Sequence, residues 1–190
     1  MSQKYLTLQP KINVDLIQIH DKTFEPYLSK EQINQAIEKI ADALNDEYRH
    51  KKPVVIAVLN GSFMFCSDLV KKLSCQPEIH FVKVASYDGM QSSGNVKTMI
   101  GLPVSLKGRN VIIVEDIVDT GHTMDELAVI MDKEEVNSYK IATLLFKPSA
   151  FLGKNIPTFV GIEIPNEFVV GFGLDYDGLG REIPEIYKIK

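Results

Sequence analysis

Apolar residues run along this chain in two rhythms, and their alternation predicts an architecture. Residues 54–59 and 111–114 are unbroken apolar runs rich in β-branched side chains, as in strands covered on both faces of a parallel sheet. Residues 79–85 and 140–146 read as two further strands. Elsewhere a helical period takes over. Ile33, Ala36, Ile37, Ile40, Ala41 and Leu44 share one helix face, residues 63–73 form an amphipathic helix, and Met124, Leu127, Ala128 and Met131 recur at i, i+3, i+4 and i+7. Ser29 with Gln32, and Thr123 with Glu126, have capping-box spacing, so helices are predicted to open there. The first should fray across 49–52, where basic residues suit a helix C-terminus, and stop at Pro53. Strands alternating with helices through residue 146 predict an α/β fold: a doubly wound, mainly parallel sheet flanked by helices. The ends are less regular. Within 1–27 one small strand near 12–19 is predicted and little else; short strands follow at 159–164, 168–171 and 186–189.

A chain of 190 residues has the length of one domain able to bury about 70% of its unfolded surface. It carries 25 acidic and 21 basic residues, a net charge of −4, so no broad basic face for nucleic acid is implied. A phosphate-rich ligand would have to rely on backbone amides, a metal and a few cations. No stretch approaches the ~20 apolar residues of a membrane span, and the first ten residues lack the blocks of a signal peptide. Cys66 and Cys75 fit neither a zinc spacing nor a disulfide framework, and the histidines are scattered. A cytoplasmic protein with no membrane or nucleic-acid partner is expected.

Chemistry concentrates after the run 111–114, in Glu-Asp-Ile-Val-Asp-Thr-Gly-His-Thr-Met (115–124). A loop at the carboxyl end of such a strand is where open α/β sheets put their ligands. Small residues leading into a helix leave N–H groups free for an anion. Glu115, Asp116 and Asp119 beside such a cradle make sense if they hold a sugar diol, a divalent metal or a proton. Asp119-Thr120-Gly121 is also the triplet of aspartic proteases, but those β proteins pair two copies and this chain has one, leading into a helix. Asn60-Gly61-Ser62, between a strand and a helix, forms a second candidate anion loop.

The 115–124 wording resembles the phosphoribosyl-diphosphate (PRPP) motif of the type I phosphoribosyltransferases, and within them the hypoxanthine-guanine branch. The resemblance covers most of the chain. It implies a single domain with a core of about 29–150 and a small hood from about 1–28 and 151–190. It also implies Mg²⁺-dependent transfer of the phosphoribosyl group from PRPP to N9 of a 6-oxopurine base, giving IMP or GMP and pyrophosphate. By position, Asp119 to Thr123 (with Thr120, Gly121 and His122) would wrap the 5′-phosphate. Glu115 and Asp116 would take the ribose hydroxyls and, with Asp175, the metal. Leu59, Asn60 and Gly61, joined by a non-proline cis peptide at Leu59–Asn60, would bind pyrophosphate together with Arg181. Lys147, Phe168, Val169 and Asp175 would read the purine, and Asp119 would handle its proton. Ser86 and Tyr87, in the polar loop 86–95, would belong to a lid. Relatives often have lysine where Asn60 and His122 stand. A homodimer or homotetramer is implied. Transfer to xanthine or another base, or a PRPP-sensing regulatory relative, are the alternatives.

Overall fold

The computed structural model describes residues 15–84, 98–100 and 105–190. Its larger sheet contains β3 (Val54–Leu59), β4 (Glu78–Val84), β5 (Thr98–Ile100), β6 (Asn110–Val118), β7 (Ser138–Phe146) and β8 (Phe159–Glu163), in the order β5-β4-β3-β6-β7-β8. Five strands are parallel and β5 runs antiparallel at the edge. The strands alternate their side chains between two cores. Val55, Ala57, Ile112 and Val114 face α1 (Lys30–Tyr48) and α2 (Phe63–Val70), where Ile33, Ile37, Ile40, Leu44 and Leu69 are buried. Val54, Ile56, Val58 and Ile113 face α3 (His122–Lys133), against Met124, Leu127 and Met131. Because both faces are covered, the strands had to be apolar throughout, which made them legible. This is the expected doubly wound α/β fold.

A second, antiparallel sheet orders β1 (Ile17–Ile19), β2 (Lys22–Leu28), β10 (Ile186–Ile189) and β9 (Val169–Val170) as β1-β2-β10-β9. It has its own small core of Ile19, Phe24, Val170 and Tyr187. Leu28, Val169, Phe172, Leu174 and Ile186 join it to the main core. β8 belongs to the large sheet, so the hood draws on 17–28 and 169–189.

Local signals held at several points. The Ser29 capping box forms completely: Gln32 N donates to Ser29 Oγ at 3.4 Å and Ser29 N to Gln32 Oε1 at 2.9 Å. Others did not. β6 continues past residue 114 to Val118, because Glu115 pairs with Thr143 and Ile117 with Leu145 of β7. No capping box forms at Thr123; α3 is capped by Gly121 at φ +87°, with no side-chain hydrogen bond. α2 ends at Val70, short of 73, and β2 and β5 were not predicted at all. The expected lid residues Ser86 and Tyr87 lie outside the described residues. Cys66 and Cys75 are free and buried. Among the described residues no helix is long and apolar enough to cross a membrane.

Candidate active site

A cleft of about 390 Å³ opens at the carboxyl ends of β3 and β6, roofed by the hood. From the first strand-to-helix turn it takes Leu59, Asn60 and Gly61. Glu115, Asp116, Asp119 and Thr123 reach it from the second, and Lys147 from the end of β7. The hood adds Phe168, Val169, Asp175 and Arg181. Thr120, Gly121 and His122 are not among its lining residues; they form the turn between Asp119 and Thr123, which are. Val58, Ile117, Glu126 and Leu174 line it and were missed. Counting the strand on past Val114 would have put Ile117 on the face of Glu115. One helical turn beyond Thr123 would have found Glu126.

The first loop is shaped by close contacts. The Leu59–Asn60 peptide is cis. Ser62 Oγ donates to Val58 O at 2.6 Å, closing the turn. A Cβ on Gly61 would lie 1.7 Å from Asp116 Oδ2, so no side chain fits there. Gly173, at φ +100°, lies against the other side: its Cβ would fall 2.1 Å from Gly61 O. Asp116, Gly61 and Gly173 are therefore stacked, floor against loop against hood.

Glu115 and Asp116 are 8% and 7% exposed. Burial pushes the Glu115 carboxyl well above its usual range, and the adjacent Asp116 charge adds to this. Burial raises Asp116 too, opposed by hydrogen bonding that includes the Ile117 N–H and by the charge of Arg181. Glu115 Oε2 is buried with no hydrogen-bond partner. A buried oxygen of this kind wants a proton, a hydroxyl or a cation. Paired carboxylates fit Mg²⁺, which uses one or two such groups and fills its shell with water and substrate phosphates. Asp175 is engaged elsewhere: its Oδ1 meets Arg181 Nη2 at 2.7 Å and its Oδ2 accepts the Gly178 N–H at 2.7 Å. Among the described residues no three acidic, histidine or cysteine side chains cluster as a ready metal cage.

Lys147 is nearly buried, and its Nζ lies 2.5 Å from Asp119 Oδ2. The Lys147 N–H donates to Val118 O at 3.0 Å, holding the two residues side by side at neighbouring strand ends. Above them Phe168 is 45% exposed. Its ring stands edge-on to Tyr176 at 5.7 Å, and Tyr176 in turn donates its hydroxyl to Asp21 Oδ1 at 2.7 Å. Arg181 Nη1 donates to Gly173 O at 2.6 Å, fixing that guanidinium beside the loop glycines. One cleft thus combines a buried acidic pair, a partly exposed acid paired with an ammonium, a half-exposed aromatic ring, an arginine and two strand-to-helix turns. It can hold a polyanion and a flat heterocycle at once.

Residues 25–177 match the phosphoribosyl transferase domain. The chain is 41% identical over 172 residues to a protein named hypoxanthine-guanine phosphoribosyltransferase from Lactococcus lactis, covering 90% of this chain and 93% of that one. A crystal structure of a hypoxanthine-guanine phosphoribosyltransferase from Bacillus anthracis superposes with a TM-score of 0.82 at 34% identity, covering 87% of this chain and 98% of that one. A hypoxanthine phosphoribosyltransferase from Staphylococcus aureus gives 0.81 at 38% identity, covering 87% and 91%.

Proposed function

The chain belongs to the phosphoribosyl transferase family, and from that premise we propose that it serves purine salvage: it transfers the 5-phosphoribosyl group of PRPP to N9 of hypoxanthine or guanine. The products are IMP or GMP and pyrophosphate. The observation that carries this reading is the convergence, in one cleft, of Glu115, Asp116 and Asp119 with Lys147 and Phe168.

On this reading the turn 119–123 holds the 5′-phosphate through backbone N–H groups and the Thr120 and Thr123 hydroxyls. Glu115 and Asp116 accept from the ribose hydroxyls and oppose the positive charge that develops on the ring. Leu59, Asn60, Gly61 and Arg181 receive the pyrophosphate. The C1′–O bond breaks with its electron pair leaving on pyrophosphate, and the N9 lone pair forms the new C1′–N bond. Asp119 takes the proton released at N7. Mg²⁺, held by Glu115 and Asp116 with Asp175 as a further candidate, would supply charge neutralisation for the departing pyrophosphate. Phe168 stacks on the purine, and Val169 and Asp175 border its edge.

Lys147 supplies the preference for a 6-oxo base. An ammonium only donates, so it suits an exocyclic oxygen and opposes an amino group. That mismatch costs on the order of 2–4 kcal/mol, or ~30- to 10³-fold against adenine. A spectrophotometric assay with hypoxanthine, guanine, xanthine, adenine and a pyrimidine, each with PRPP and Mg²⁺, tests the reading. Turnover of hypoxanthine or guanine, with adenine lower by that factor, is expected. PRPP binding without turnover of any base would point instead to a sensor, and xanthine as the sole substrate would move the specificity. Action in the cytoplasm as a homodimer or homotetramer completes the proposal; light scattering on the purified protein tests the assembly.

A further inference from the structure

The turn 119–123 is braced from behind by residues that do not line the cleft. The Thr120 carbonyl accepts two N–H groups, from Leu152 at 2.9 Å and Gly153 at 3.0 Å. Gly121 has no space for a side chain: its Cβ would lie 2.4 Å from Phe151 Cε2 and 3.2 Å from Gly153 Cα. Phe151 is itself edge-on to Phe146, at the end of β7, with ring centroids 5.4 Å apart. The path of the turn therefore depends on residues 151–153, which lie in neither helix nor strand.

That segment is held by one carboxylate. Asp125, in the first turn of α3, accepts the Lys154 N–H on both oxygens at 2.9 and 3.1 Å. It also accepts the Asn155 N–H at 3.0 Å and the Asn155 side-chain amide at 2.8 Å. Asn155 Oδ1 accepts the Tyr139 hydroxyl at 2.9 Å, which ties the clamp to β7. Burial favours protonation of Asp125, but the hydrogen bonds from Asn155 and Lys154 outweigh it and hold the carboxyl below its ordinary value. Hydrogen bonds to an ionised acceptor are the stronger kind, and three donors converging on one side chain make a stiff joint. The clamped segment also lies close behind Lys147, whose carbonyl accepts the Ala150 N–H at 3.1 Å.

We infer that Asp125 is a positioning residue for the phosphoribosyl substrate: by clamping residues 154 and 155 it presses 151–153 against Thr120 and Gly121, and so sets where the N–H groups of the 5′-phosphate turn lie. The inference rests on the proposed function and adds a side chain outside the cleft to its machinery. Anion recognition by backbone amides is sensitive to such support, because the donors move only with the chain.

Asp125→Ala tests it. The KM for PRPP should rise ~10-fold, as small misplacements far from the chemistry commonly do. The KM for hypoxanthine, and kcat at saturating PRPP, should stay within about twofold. In calorimetry the Kd for ribose 5-phosphate should weaken by a similar factor. Asp125→Asn keeps one acceptor oxygen for the Asn155 donors but loses the charge and turns an NH2 toward the Lys154 N–H, and Asn155→Asp sets carboxylate against carboxylate, so each alone should weaken binding. A rise in the PRPP KM that is graded from Asp125→Asn to Asp125→Ala at constant kcat is an outcome that simple loss of stability would not produce. Tyr139→Phe serves in place of an alanine variant that does not fold, with a milder loss of ~3-fold. An unchanged Kd for ribose 5-phosphate in a folded variant would overturn the inference. So would a fall in kcat accompanied by equal rises in both KM values. If the wild-type protein binds ribose 5-phosphate yet turns over no base, the proposed function fails, while the calorimetric comparison still decides the role of Asp125.

Discussion

The floor of the cleft and its roof are built to different standards. Glu115 and Asp116 sit in the floor at 8% and 7% exposure, backed by the parallel sheet and with one carboxylate oxygen unpartnered. In the roof, half-exposed Phe168 leans on the Tyr176 ring, while the partly exposed Asp175 and Arg181 share an ion pair and make one backbone hydrogen bond each. Burying carboxylates with an oxygen left unpartnered costs free energy, which the packing around them has to resist. Only a stiff, close-packed sheet supplies that resistance. Presenting a flat ring over a cleft asks much less, and short antiparallel strands suffice. Buried, unpaired charge is thus kept in the close-packed sheet, and the flat ring is presented from the thinner one.

The contrast is broken most severely where floor and roof touch. Gly61→Ala would drive a methyl group into Asp116 and disturb the seat of Gly173. A loss of ~10³-fold in kcat/KM is expected, with about 1–3 kcal/mol of stability, read by steady-state kinetics and thermal melts. Next comes a change confined to the floor. Asp119→Asn should leave PRPP binding nearly intact while lowering turnover by ~10²-fold or more. Normal turnover at saturating substrates would remove Asp119 from the proton-handling role. In the roof, Phe168→Ala should raise the KM for the purine ~10-fold through lost stacking, with the PRPP KM and the melting temperature nearly unchanged. An equal rise in both KM values would mean that roof and floor are not separable.

The smallest effect concerns pH and the clamp behind the floor. Asp125 has a folded-state pKa below its unfolded value, so its stabilising contribution is complete above the ordinary carboxylate range and fades as pH falls through the folded value. Asp125→Asn does not titrate. The melting-temperature gap between wild type and this variant should therefore narrow as pH drops from 7 through about 4 toward 3. A gap independent of pH would show that the carboxylate charge is not what holds residues 154 and 155.

Much of the floor could be read along the chain. Val54–Leu59 was predicted to the residue, because an apolar, β-branched run covered on both faces has no polar positions to blur its ends. The Ser29 cap and the positions of Asp119 and Lys147 just past strand ends were equally local matters of near neighbours. The roof was less legible. β2 was missed: Lys22–Leu28 holds Pro26 and three charged or polar positions, and it becomes a strand by pairing with Ile186–Ile189. The extension of β6 through its acids needed the partner ladder from β7, and the cap at Gly121, rather than Thr123, sits at φ +87° against Phe151 and Gly153. The pairing of Lys147 with Asp119, and the clamp on Asp125, join residues about thirty positions apart. Order along the chain dictates what each segment favours within a turn or two. Contacts closed across long loops exist only once the sheets have packed, and these decide which side chains meet in the cleft.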